Sequence, residues 1–183
     1  MTKVLGISGS LRRGSYNSAL LRAAARLMPA NATLEIASLR GIPLFDGDVE
    51  AQGLPATVTQ LKEAIVAADG VLLATPEYNN GVPGVLKNAI DWLSRPASDI
   101  KRVFGGRPFA VIGASAGAFG TVLAQAAWLP VLRLLGTQTW AGGRLAVARA
   151  ASVFEETGAL KDAALEEQLR QFLAGYVGFI GRG

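Results

Sequence analysis

Three times in this sequence a short apolar run ends in a loop of small or turn-forming residues, and a helical pattern begins at once. Residues 4–7 lead into loop 8–17, residues 71–75 into loop 76–83, and residues 108–114 into loop 115–120. An unbroken apolar run between turn signals is the pattern of a parallel strand buried on both faces. Strand, loop and helix repeated in this way build an open parallel α/β sheet with right-handed crossovers. Two further strands are expected at 33–39 and 137–140, making five. Helices are expected at about 17–28, 56–68, 83–95 and 121–135, the last bent or broken near Pro130, and a final helix from about Leu160. Residues 41–48 read as loop, and 142–151 fit no single pattern. In such sheets ligands bind beyond the carboxyl ends of the strands, near the switch in strand order. The strand order 2-1-3-4-5 places strands 1, 3 and 4 side by side and their three loops around one crevice.

The first loop, L-G-I-S-G-S-L-R-R-G-S-Y-N from Leu5 to Asn17, has the composition of an anion site. Its glycines allow backbone N–H groups close to a ligand, Ser10, Ser15 and Asn17 add donors, and Arg12 adds charge. The helix that follows points its unsatisfied N–H groups at the same place. Ser, Asn and Gly also cap ordinary helices, and that plainer reading stands beside the first. The loop has no G-x-x-x-x-G-K-[ST] and no G-x-G-x-x-G, so neither a P-loop hydrolase nor a dinucleotide fold is indicated. Several hydroxyls near one helix start suit a single phosphate monoester. Flavin mononucleotide is the first candidate.

Composition narrows the chemistry. With 183 residues, 50% of them hydrophobic, the chain can bury one core and reads as a single domain, 1–183. It has no Cys and no His. That excludes cysteine nucleophiles, thiol redox pairs, histidine triads and the usual zinc sites, so no metal is expected and any redox chemistry needs a bound cofactor. The net charge of +4 is spread over single residues and pairs such as Arg12 with Arg13 and Lys101 with Arg102. Without a basic block, nucleic acid is not an expected partner, and anionic substrates or phosphorylated cofactors are. The first apolar run is too short for a signal peptide and no segment reads as a membrane span, which leaves the cytoplasm as the expected location.

Two motifs carry a resemblance. Gly9-Ser10-Leu11-Arg12 with Ser15 and Asn17 is followed by Pro76-Glu77-Tyr78-Asn79 and then by Pro83-Gly-Val-Leu-Lys-Asn-Ala-Ile-Asp-Trp-Leu93. The chain resembles the NADPH-dependent FMN reductase family, in particular its quinone and chromate reductase branch. A weaker echo of the family's F-D-x-x-G-x-L is found at Phe154, Gly158 and Leu160. The resemblance implies a flavodoxin-like fold, with Ser10, Arg12, Ser15 and Asn17 on the FMN phosphate. It places Pro76, Glu77, Tyr78 and Asn79 along the isoalloxazine, mostly through backbone groups, and Ser115, Gly117 and Gly120 at its pyrimidine end. The N–H groups opening the helix after Gly120 would then face the charge of reduced flavin. No side chain is needed as an acid or base.

The implied activity is transfer of electrons from NADPH or NADH through FMN, in ping-pong order, to quinones or other small oxidants such as chromate, azo or nitro compounds. Some chromate-reducing relatives carry an Arg where this chain has Val122-Leu-Ala-Gln125, which argues against efficient chromate reduction. The competing class is a flavodoxin-like electron carrier without its own NAD(P)H turnover, and the positive net charge weighs against it. The family's dimers and tetramers imply a homodimer or homotetramer through the helix from Pro83 to Leu93, with Tyr78 and Trp92 as interface aromatics. Lys87 and Asp91 on that helix read as a surface or interface pair.

Overall fold

The computed structural model describes residues 1–182; Gly183, the last residue of the expected domain, lies outside the described residues. The strands are β1 (Thr2–Ser8), β2 (Ala32–Ala37), β3 (Gly70–Ala74), β4 (Pro108–Ala114), β5 (Gln138–Thr139) and β6 (Ala146–Val147). The sheet is parallel in the order β2-β1-β3-β4-β5, as expected for a flavodoxin-like fold. Every residue of β3 is buried, because it has a strand on each edge and helices over each face. Gly6 is registered with Ile36 on one side and Leu72 on the other, and Leu73 with Val111.

The fifth position differs from expectation. The strand expected at 137–140 is only two residues long, and the undecided stretch supplies β6, which pairs with Gly113 and Ala114. Trp140 N donates to Phe109 O at 2.7 Å and Gly113 N donates to Leu145 O at 3.1 Å. Residues 109 and 113 direct their backbone groups to the same edge of β4, so β5 and β6 share one interrupted lane. The interruption has a cause in packing. The indole of Trp140 turns inward, edge-on to Phe172 at 4.7 Å and tilted against Tyr176 at 5.7 Å.

One face of the sheet is covered by α1 (Tyr16–Leu27) and α8 (Ala163–Ile180), which bury Leu20, Leu21, Leu169 and Leu173. The other face is covered by α3 (Ala56–Ala67), α4 (Gly84–Leu93) and α6 (Val122–Leu134), which bury Ile65, Leu86, Ile90, Trp128 and Leu132. Each such aliphatic side chain contributes about 1.5–3 kcal/mol on burial. The short helices are α2 (Gly47–Ala51), α5 (Ile100–Val103) and α7 (Ala150–Val153). Helix α2 falls partly in a stretch read as loop. It buries no residue, so it leaves no apolar periodicity to read, and it is held by Asp46 accepting from Asp48 N at 2.8 Å. Helix α6 runs through Pro130 without ending. Pro130 and Ala126 are exposed, so water can take the bond that the Ala126 carbonyl loses to the proline. Helix α8 starts later than expected, at a cap made by Asp162 on Leu165 N at 2.9 Å. Leu160 instead closes a tight hairpin with Phe154.

Polar groups inside this frame are paired. Lys62 is buried, with its Nζ on Asp99 Oδ2 at 2.8 Å and on the Arg95 carbonyl. The Arg102 guanidinium and then Lys62 hold the Asp99 carboxyl well below the usual carboxylate range. Tyr176 Oη lies 2.9 Å from both Val71 O and Pro108 O, and burial pushes its pKa well above the ordinary tyrosine value. Among the described residues, no helix is long and apolar enough to cross a membrane.

Candidate active site

The loops after β1, β3 and β4 meet because their backbones come close together. Gly9 N donates to Ala74 O at 2.8 Å. A Cβ on Gly9 would lie 2.8 Å from Pro76 Cδ and 3.1 Å from Pro83 Cγ, so the first two loops touch only with glycine there. Gly113 plays the same part between the second and third loops, where a Cβ would lie 2.1 Å from Thr121 Oγ1 and 2.3 Å from Thr75 O. Thr75, not singled out in the sequence, ties this junction. Its N donates to Ile112 O at 2.8 Å, and its hydroxyl donates to Pro76 O at 2.8 Å while accepting from Trp128 Nε1 at 3.1 Å.

The structure brings the first-loop residues together but divides their tasks. Ser15 is the N-cap of α1, its Oγ accepting from Ser18 N at 3.2 Å, and its N donates to Arg12 O at 3.1 Å. Asn17 is buried and clamps β4: Nδ2 donates to Ala114 O and Oδ1 accepts from Ala114 N, both at 2.9 Å. Ser10 Oγ accepts from Arg12 N at 3.4 Å, and the Arg12 guanidinium lies 5.3 Å from the centre of the Tyr16 ring. Tyr16 stacks on Phe154 at 5.9 Å, which explains the place of the Phe154–Leu160 hairpin beside this loop. What remains free is the hydroxyl hydrogens of Ser10 and Ser15, the second amide hydrogen of Asn17, the Arg12 donors and the backbone N–H groups of Tyr16 and Asn17 at the start of α1. A donor-only set with one guanidinium at a helix start fits a phosphate monoester.

In the second loop Tyr78 and Gly81 exchange backbone bonds of 3.2 and 3.0 Å, and Asn79 and Asn80 have φ of 50° and 61°. Positive φ at both central residues is a type I′ turn, a signal present in the Asn-Asn pair but not read from it. The turn holds Tyr78 out at 53% exposure, beside the buried Pro76. Glu77 reaches across to α6, its Oε2 accepting from Leu123 N and Ala124 N at 2.9 Å each. The helix N-terminus expected to face reduced flavin is therefore already capped by a carboxylate, and Glu77 joins the second loop to α6.

The third loop closes on itself and on β6. Ser115 Oγ donates to Gly120 O at 2.7 Å, Ser115 N donates to Val147 O at 2.9 Å, and Gly117 O accepts from Arg149 N at 2.9 Å. Ser115, Gly117 and Gly120 thus form one turn at the crevice. Lys87 and Asp91 pair at 2.7 Å on the half-exposed side of α4. Trp92 is not a surface aromatic. It is fully buried, donating to Pro43 O at 2.9 Å with Phe45 edge-on at 5.0 Å. The loop after β2 folds over α4 and takes the place expected of a second subunit at this residue.

A flavodoxin-like sheet with a monophosphate-type first loop defines a class of flavin-binding proteins, and the comparisons narrow it. The sequence pattern described as NADPH-dependent FMN reductase matches residues 2–152. The chain is 47% identical over 171 residues to the NAD(P)H-dependent FMN reductase of Pseudomonas aeruginosa, covering 93% of this chain and 91% of that one. It is 38% identical over 171 residues to a quinone reductase of Pseudomonas putida, covering 93% and 88%. The fold matches FerB, a flavoenzyme NAD(P)H:(acceptor) oxidoreductase from Paracoccus denitrificans, with a TM-score of 0.89 at 32% identity over 100% of this chain and 98% of that one. The chain belongs to the NADPH-dependent FMN reductase family and is an FMN-dependent NAD(P)H oxidoreductase.

Proposed function

We propose that this chain, acting as one domain in the cytoplasm, reduces quinones and related small oxidants, with NAD(P)H and oxidant using the same crevice in turn. The observation that carries this reading is the junction of three loops at Gly9, Thr75 and Gly113, with monophosphate donors on one side and exposed Tyr78 on the other. Ser10, Arg12, Ser15 and the free amide hydrogen of Asn17 would hold the FMN phosphate. Residues 76–79, Ser115, Gly117 and Gly120 would border its ring. Bound FMN supplies the two-electron chemistry. The residues of this chain bind and orient, and no side chain is required to move a proton. The names of the relatives support a quinone as oxidant. The net charge of +4 weighs against a carrier that docks on basic partners.

The test is direct. Flavin released by heat should chromatograph as FMN, and NADH or NADPH oxidation with benzoquinone should give parallel double-reciprocal lines. FAD, or no flavin affinity after reconstitution, refutes the reading.

Self-association belongs to the same proposal. The helix from Pro83 to Leu93 has Gly84, Lys87 and Asp91 toward solvent, and the neighbouring α6 region exposes Phe119, Leu123, Leu129 and Leu134. We place a homodimer contact on these two elements together, with a homotetramer as its further pairing. A monomer mass by light scattering in fully active protein would exclude it.

A further inference from the structure

On the side of the first loop away from the crevice, a cavity of about 280 Å³ opens between the loop and the carboxyl end of β2. Four arginines line it: Arg12 and Arg13 from the loop, Arg22 from α1 and Arg40 from the chain after β2, with Ser10 and Ser38 among them. None of the four pairs with a carboxylate among the described residues. Arg40 donates to the Leu11 carbonyl, and Arg12 lies against Tyr16. A guanidinium has five N–H donors, so most of the donors remain free. Four like charges around one cavity repel each other, and an anion placed among them reverses that sign.

This cavity shares Ser10 and Arg12 with the flavin side of the first loop and extends from there toward β2, where Arg13, Arg22 and Arg40 are its own. Strand order puts β2 and β4 on opposite sides of β1. Asn17 is bound to β4, whereas residues 36–40 form the β2 side of the cavity. An FMN monophosphate held by Arg12, as proposed above, would leave Arg13, Arg22 and Arg40 without an anion. Three strand spacings of about 4.8 Å separate the ends of β4 and β2, roughly 14 Å in all. That distance lies within reach of the far end of an extended pyridine dinucleotide whose reactive ring sits in the crevice.

We propose that the arginine cavity binds the 2′-phosphate of NADPH and so makes this chain select NADPH over NADH. The proposal rests on the oxidoreductase reading above. A 2′-phosphate carries the negative charge that these arginines lack, and the hydroxyl of NADH does not.

The test uses holoenzyme with Arg22→Gln and, separately, Arg40→Gln, neither residue being assigned to FMN. KM is measured for both nucleotides, FMN retention is followed by absorbance, and 2′-AMP and 5′-AMP are titrated by calorimetry. The expected result is a KM for NADPH raised about tenfold in each variant, with that for NADH unchanged and FMN retained. Wild-type holoenzyme should bind 2′-AMP at least tenfold more tightly than 5′-AMP, and the variants should lose that preference. Parallel changes in both KM values, or no change in either, overturn the proposal. Equal competition against NADPH by inorganic phosphate and by 2′-AMP overturns the nucleotide assignment. If wild-type protein oxidises neither nucleotide, the oxidoreductase reading fails. The calorimetric preference for 2′-AMP then decides the cavity alone, its presence supporting the site and its absence refuting it.

Discussion

Charge is handled in opposite ways at the two ends of the sheet. Toward the amino ends of the strands, Lys62, Asp99, Arg102 and Glu63 form a connected set with contacts of 2.8, 2.6 and 3.0 Å. Asp69 nearby accepts from Lys3 N at 2.8 Å. At the carboxyl ends, Arg12, Arg13, Arg22 and Arg40 surround a cavity without a carboxylate partner among the described residues. A charge matched within the chain serves the fold. A charge left unmatched at the end where ligands bind is available to a phosphate. The sheet keeps the two roles apart.

The comparison is broken most forcefully at Asp99. Asp99→Ala leaves the buried Lys62 ammonium with the Arg95 carbonyl but no counter-charge, and denaturant unfolding should show a loss of about 3–5 kcal/mol. FMN affinity of the folded fraction should be unchanged. Because Asp99 is held below the usual carboxylate range, its contribution is complete above its unfolded value near 3.9 and fades as pH falls through the lower folded value. The stability gap between wild type and Asp99→Asn should therefore be flat from pH 8 to 5 and close in stronger acid.

The next effect belongs to the other end. Arg12→Ala with Ser15→Ala should weaken FMN binding at least tenfold, since each charged hydrogen bond lost is worth about 1.5–3 kcal/mol. Ser15 also caps α1, so the same variant should lose about 1 kcal/mol of stability, unlike a purely ligand-facing change. Glu77→Gln removes the carboxylate from the start of α6 and should cost about 0.5–1 kcal/mol, with FMN affinity falling alongside because the second loop loses its tie. The smallest change is expected for Lys87→Ala. That exposed pair runs in the less favourable order along the helix, and its loss should stay within about 0.5 kcal/mol by thermal unfolding.

Much of this architecture was legible because it is written in local patterns. The apolar runs at 71–75 and 108–114, with turn residues at their ends, mark β3 and β4, and crossover handedness then limits the strand order. What was not legible depends on partners distant in sequence. Asn17 reads as a ligand donor until its side chain is seen paired with a residue 97 positions away. Glu77 finds its partners 46 and 47 positions on. Trp92 lies on an apolar helix face, and periodicity does not distinguish burial within a chain from burial between chains. β6 follows from the inward turn of Trp140, a tertiary event. The arginines at 12, 13, 22 and 40 look scattered along the chain, and only the return of β2 beside β1 gathers them.

The Asn17 clamp determines when the first loop acquires its shape. Its amide pairs with both backbone groups of Ala114 as a peptide unit would, fixing the start of α1 to the end of β4 through bonds internal to the protein. Ordering one residue's backbone opposes association by about 1–2 kcal/mol, and here that entropy loss occurs during folding, before any ligand arrives. On the proposed assignment, the FMN phosphate would meet a loop whose junction with α1 is already fixed. Flavin-free protein should accordingly retain the holo backbone at residues 9–17 and recapture flavin without a slow conformational phase.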